Sequence, residues 1–159
     1  MIKQITQETL TQLSAQAAQA TRLRSHLNIH PSTQDSVQRL AIAMEPGTYV
    51  RAHRHPHTWE MLTALQGRFI VLLYDAEHNV TERIVLGEEV KLLEFAANTW
   101  HSVLSLDEGG VIFEVKQGAY QPVEAQDYLP NSPEEGAPQV AAILDWYATA
   151  KVGDRFPQA

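Results

Sequence analysis

Cysteine is absent from the 159-residue sequence. That excludes disulfides, thiolate nucleophiles and thiolate-held metals together, so any bound metal must rest on imidazole and carboxylate. Long apolar runs are missing too. Nowhere do about 18 apolar residues follow one another, as a membrane-spanning helix requires. The opening residues, Met1-Ile2-Lys3-Gln4-Ile5-Thr6-Gln7-Glu8, lack the apolar core of a secretory signal. The expectation is a cytoplasmic protein with no membrane partner. Positive charge is also short: 12 Lys and Arg stand against 19 Asp and Glu, for a formal net charge of −7. Such a field repels polyphosphates, and nucleic acid is not an expected partner. There is no internal repeat and no low-complexity tract.

What is present suits one globular domain. Hydrophobic residues make up 44% of the chain and charged residues 19%, an ordinary composition at a length that buries a sizeable core. Thr6 can cap a helix over residues 7–20, with Glu8 in its first turn and Leu10, Leu13, Ala17 and Ala20 on one stripe. The stripe is narrow and rich in alanine, so this helix is expected on the outside of something larger. Residues 22–35 are polar and broken by Pro31, and read as a connection.

The middle of the chain reads as short strands at even spacing: residues 38–44, 48–54, 58–65, 68–74, 80–86, 90–95, 100–106 and 111–116, separated by turns such as Glu45-Pro46-Gly47 and Gln66-Gly67. No helical segment intervenes, which argues for an antiparallel sandwich or barrel over a parallel sheet. Residues 118–138 are dense in proline and acids and should wrap the surface in extended form. A last helix is expected over residues 139–150, with Val140, Ile143, Leu144 and Tyr147 on one stripe. The parts are thus an N-terminal helix and arm over 1–35, a barrel over 36–118, and an extended tail with a C-terminal helix over 119–159, all in a single domain.

The richest stretch for chemistry runs from Gly47 to Gly67. In a strand, residues two apart point the same way, so His53 and His55 can present two imidazoles to one ion. Glu60 opens the next strand after a turn at Pro56, and Gly67 permits the reversal that follows. Gly47, five residues, His53, one residue, His55, four residues, Glu60, six residues and Gly67 together resemble the first motif of the cupin superfamily. The second motif is matched in part by Ala96-Ala97-Asn98-Thr99-Trp100-His101. His101 is kept. Ala96 and Asn98 replace the usual proline and glycine, and Ser105 stands where asparagine is usual. Asparagine tolerates left-handed backbone, so the departures concern the turn more than the ligand.

The runs Arg22-Leu23-Arg24-Ser25-His26-Leu27-Asn28, Val37-Gln38-Arg39-Leu40, Thr99-Trp100-His101-Ser102-Val103 and Phe113-Glu114-Val115-Lys116-Gln117-Gly118 are similar to the WbuC-type cupin-fold metalloproteins, over roughly Ile2 to Tyr147. The resemblance implies an all-β fold: a cupin double-stranded β-helix, or jelly-roll barrel, with an N-terminal helix and a C-terminal helical tail. It also implies a metal site of His53, His55, Glu60 and His101, and a link to polysaccharide or lipopolysaccharide genes. Cupins are often dimers, and a homodimer is expected.

Three imidazoles and one carboxylate suit a single divalent transition metal, Fe, Mn, Ni, Co or Zn, and not Ca or Mg. Four protein ligands leave an octahedral ion two open positions for a small-molecule ligand. Arg51 shares parity with His53 and is a candidate clamp for a substrate carboxylate or phosphate, set against an internal ion pair. Glu114 is a candidate proton-transfer group, with Lys116 on the same face, set against structural pairing of the two. Tyr49 is expected to line the same cavity, and Trp59, Trp100 and Phe69 to pack. His57 is read as a bystander beside the ligands, and His26, His30 and His78 as solvated. The functional expectation is a Lewis-acid isomerase or epimerase acting on a small polar or sugar-type molecule. An Fe(II)-dependent dioxygenase and a non-catalytic binding or sensing module are the alternatives.

Overall fold

Thr6 starts the first helix as its side chain allows. In the computed structural model of the chain, which describes residues 1–158, its hydroxyl accepts from the Thr9 amide, while the Thr9 side chain takes the Thr6 amide. Helix α1 (Gln7–Gln19) then buries Leu10, Leu13 and Ala17 against Ala41, Ala43 and Val111. Small residues on both sides let the helix lie close on a sheet, as the alanine-rich stripe anticipates.

Among the described residues, eight strands form two antiparallel sheets. They are β1 (Arg24–Asn28), β2 (Val37–Met44), β3 (Glu60–Gln66), β4 (Phe69–Tyr74), β5 (Val80–Leu86), β6 (Leu92–Phe95), β7 (Trp100–Ser105) and β8 (Gly110–Gln117). One sheet has the order β1-β2-β8-β3-β6 and the other β5-β4-β7. Alternation sorts the side chains: Met44, Leu62 and Ile112 from the larger sheet meet Phe69, Val71 and Val103 from the smaller in a shared interior. Gly67 takes φ +74, and a Cβ there would lie 3.1 Å from the Gly110 backbone, so the β3–β4 turn needs glycine. The arrangement is a jelly roll with a helix at each end.

The tail forms the second outer layer. Helix α2 (Val140–Thr149) buries Ile143 and Tyr147 on the outer face of the smaller sheet, among Ile70, Leu72, Tyr74 and Leu104. Phe156 and Leu129 complete that cluster.

Two expectations need correction. Part of the polar arm over 22–35 is strand β1, paired with β2 from Arg24 opposite Met44 to Asn28 opposite Leu40. Its sequence, Arg-Ser-His-Leu-Asn, carries no apolar alternation because edge position, and not burial, holds it. Residues 48–54, read as a strand, make only isolated bridges at His53, to His101 and to Tyr128. Their backbone bonds go instead to several partners in turn.

Candidate metal centre

The segment carrying His53 and His55 is fastened from both sides. His53 and His101 exchange backbone hydrogen bonds of 3.0 and 2.9 Å, which ties the segment to β7. On the other side the Leu129 amide donates to the Ala52 carbonyl at 2.8 Å and the Arg54 amide to that of Asp127 at 2.9 Å. The Arg54 guanidinium also pairs with the Asp127 carboxylate at 2.9 Å. Asn98 takes φ +68, the left-handed geometry that glycine usually supplies, and its amide reaches the His55 carbonyl at 2.8 Å. That turn delivers His101 to the interior despite the altered second motif.

The ring orientations define a donor set. His53 Nδ1 lies 2.8 Å from the Arg51 carbonyl and His101 Nδ1 lies 3.0 Å from that of Thr99. A nitrogen facing a carbonyl must donate, so each ring carries its proton on Nδ1 and presents a bare Nε2. His53 Nε2 is 3.2 Å from His55 Nε2. The ligand nitrogens of His53, His55 and His101 all lie within 4.8 Å of one another. Three imidazoles so placed can hold a metal ion.

Glu60 faces the same point. Its Oε2 is 3.2 Å from His55 Nε2 and 3.5 Å from His101 Nε2. The shorter separation alone would allow a hydrogen bond, but the alignment does not make one, and among the described residues this fully buried oxygen has no hydrogen-bond partner. A buried carboxylate oxygen is rarely left so without an ion or a donor to satisfy it. Burial holds the His53 imidazole well below its ordinary range, reinforced by His101 and His55. Burial lowers His101 as well, against the opposing pull of Glu60. For Glu60, burial pushes the carboxyl up, but His101, His55 and Lys116 outweigh it and keep it below the usual carboxylate range. Neutral rings and an ionised carboxylate are the protonation states a metal requires.

A cavity of about 480 Å³ opens from this cluster, with His53, Glu60 and His101 in its lining. Ile42, Val50 and Ile112 contribute apolar wall. Glu114 and Lys116 also line it and pair at 2.5 Å. In the β3–β8 register Lys116 stands opposite Glu60 and Glu114 opposite Leu62. Burial and the Glu60 charge push the Glu114 carboxyl up, while Lys116 pulls it the other way.

Other candidate residues lie elsewhere. The Arg51 guanidinium stacks on the Tyr128 ring at 4.4 Å and donates to Ser132 Oγ at 2.9 Å, so it engages the tail. Tyr49, expected in the cavity, instead stacks against Tyr147 and donates its hydroxyl to the Pro133 carbonyl, because the outer apolar cluster takes its ring. His30, expected to be solvated, is buried, with Nδ1 held between the amide and carbonyl of Arg39. His26 is exposed but lines the cavity, as do Arg22 and Arg24. Strand parity along β1 would have found Arg24 and His26 had the arm been read as a strand. His57 is exposed and lines a separate cleft against the tail, its ring 6.0 Å from that of His55. Phe69 is fully buried, and Trp100 packs under the Arg54 guanidinium at 4.3 Å.

A family model described as "Domain of unknown function (DUF6016)" matches residues 5–86. No curated protein matches the chain. Solved structures do. An oxalate oxidase in complex with the substrate analogue glycolate is 11% identical, with a TM-score of 0.52 over 66% of this chain and 55% of that one, so the match spans about half of its length. Protein SO0799 from Shewanella oneidensis is 10% identical, with a TM-score of 0.52 over 64% of this chain and 73% of that one. BH2720 from Bacillus halodurans is 15% identical, with a TM-score of 0.50 over 70% and 82%. At such identities the likeness is one of fold, the cupin-like jelly roll that the two sheets describe.

Proposed function

The chain belongs to the family described as "Domain of unknown function (DUF6016)", and for it we propose a metal-dependent enzyme that isomerises or epimerises a small, oxygen-rich substrate of sugar type. One observation carries the reading: the partnerless Glu60 oxygen faces two imidazole nitrogens at the inner end of a cavity large enough for such a molecule. His53, His55, Glu60 and His101 would hold one divalent transition metal, Fe, Mn, Ni, Co or Zn. The bound ion would supply Lewis-acid polarisation of a substrate hydroxyl or carbonyl oxygen. Glu114, lining the same cavity, would be the base that takes a proton from one substrate carbon and returns it to the neighbouring carbon of the product, and Lys116 beside it holds the carboxylate in place and compensates its charge. The aliphatic walls limit water at the reacting atoms. The WbuC-type resemblance of the sequence supports a substrate from polysaccharide or lipopolysaccharide metabolism in the cytoplasm.

The Glu114–Lys116 pair also favours a second reading. A base already engaged by an ammonium suits a module that binds its ligand unchanged. A homodimer belongs to either reading, with edge strand β6 and its exposed Leu92 as a pairing surface.

The test is elemental analysis of protein purified without a histidine tag, followed by incubation with sugar phosphates, nucleotide sugars and small acids. About one transition-metal ion per chain is expected, with turnover that disappears in His55→Ala. Metal content unchanged by His55→Ala and Glu60→Ala would sink the site. Ligand-induced thermal stabilisation without turnover would select the binding module.

A further inference from the structure

The cavity carries a second group of charged residues. Arg22 and Arg24 line it along with the metal cluster. Arg24 is set in place by the body of the protein: its Nη1 donates to Thr48 Oγ1 at 3.2 Å and to the Tyr49 carbonyl at 3.0 Å. Thr48 is itself buried and donates to the Arg22 carbonyl. The guanidinium is therefore oriented before any anion meets it. A single carboxylate, Glu135 from the proline-rich tail, occupies both arginines. It takes Arg22 Nε at 2.8 Å and Nη2 at 2.7 Å in a two-pronged contact, and Arg24 Nη1 at 3.1 Å and Nη2 at 3.3 Å.

The tail is held just before this point, by Tyr49 on the Pro133 carbonyl and Arg51 on Ser132, but beyond it the chain is loosely placed. Residues 134–136 are exposed, and a Cβ at Gly136, which takes φ +84, would meet no neighbour within 4 Å. The Glu135 side chain keeps 40% of its exposure while that of Arg24 keeps only 19%. An exposed carboxylate is a weak lock. A half-buried guanidinium, by contrast, needs an anion whenever that lock opens.

We propose that Arg22 and Arg24 form an anion subsite of the cavity, filled by Glu135 in the free protein and by a carboxylate or phosphate of the substrate in the complex. This rests on the cavity being the substrate site of the proposed metal enzyme. It narrows the substrate class. Tyr49, whose carbonyl anchors Arg24, lies four residues before His53, so the chain limits that span to about 14 Å. The intervening wall at Val50, Ile42 and Met44 is apolar. The substrate is then an acid with chelating oxygens at one end, an anionic group at the other, and a less polar middle. Binding would displace the Glu135 side chain from the arginines, and product release would let it return.

The test uses full-length, metal-free protein, with inorganic phosphate and acetate as separate probes, followed by calorimetry and by NMR of the arginine Nε–H groups. An attached carboxylate competes at an effective concentration in the millimolar range, so Glu135→Gln should bind at least one probe roughly ten-fold more tightly than wild type. The probe that gains identifies phosphate or carboxylate as the natural group. Adding Arg24→Gln should abolish the gain, and Glu134→Gln should produce none. A folded Glu135→Gln with no gain for either probe, a gain that survives Arg24→Gln, or an equal gain in Glu134→Gln would overturn the proposal. If Glu135→Gln fails to fold, the wild-type titration decides: Arg22 and Arg24 Nε resonances that move with neither probe also overturn it. Because metal is absent throughout, failure of the metal reading would appear in the elemental analysis and leave this outcome independent.

Discussion

Helices α1 and α2 cover opposite outer faces of the barrel by different means. The first sets two leucines and an alanine on Ala41, Ala43 and Val111, a thin contact between small side chains. The second joins Ile143 and Tyr147 to Tyr49, Tyr74, Leu129 and Phe156 in a thick aromatic layer. The thick layer does more than cover apolar surface. Tyr49 and Ala52 belong to it, and they lie in the segment that ends at His53 and His55. Tyr147 stacks on Tyr49, and its hydroxyl reaches the Val50 carbonyl at 3.4 Å. The C-terminal face thus serves as the backing of the candidate metal centre, whereas the cluster under the N-terminal helix includes none of its ligands.

Tyr147→Ala puts this contrast under the greatest strain. Removing a fully buried aromatic should cost about 3–5 kcal/mol in denaturant unfolding, and metal affinity measured on the remaining folded protein should fall as well. Unchanged affinity would break the link between tail and site. His101→Ala comes next. Losing a proposed ligand should weaken metal binding by at least about a hundred-fold, more than loss of a neighbour of the ligands would, as competition with a chelator would record. Leu13→Ala, on the thin face, should cost about 2 kcal/mol, the low end for a leucine truncation. Its metal affinity should match wild type, and a drop there would mean the two faces are not distinct.

The smallest effect is one of pH. Burial lowers His53 and His101 below the ordinary value of 6.5, so between that value and their folded values the unfolded chain binds more protons than the fold does. Their contribution to the stability of metal-free protein is therefore complete above pH 6.5 and is lost as pH falls below it. The slope should be on the order of 1 kcal/mol per pH unit, read from melts across a pH series. His53→Ala should flatten that slope, and an unchanged slope would place the titration elsewhere.

Much of the architecture could be read in advance because its signals are local. Turn residues such as Gly67 and Asn98 take left-handed backbone where their chemistry permits it, and Thr6 caps the helix that its spacing announces. Edge strand β1 escaped because it is polar, with pairing and not burial holding it. Residues 48–54 look like a strand in sequence because extended backbone and apolar content are alike whether the hydrogen bonds run to one neighbour or to several. Arg51, Tyr49 and His30 resist a local reading for a related reason: their partners, Tyr128, Pro133 and the Arg39 backbone, lie beyond any local period.

By itself the sequence determined that an ion here can have only nitrogen and oxygen ligands, and that His53, His55, Glu60 and His101 stand at intervals a jelly roll brings together. Tertiary structure alone decided that imidazoles from β7 and from the segment before β3 would meet a carboxylate oxygen without a hydrogen-bond partner, that two arginines would line the same cavity, and that a distant tail would brace the site. The physical reason is that ring tautomer, burial and charge compensation are set by neighbours in space, and periodicity along the chain carries no record of them.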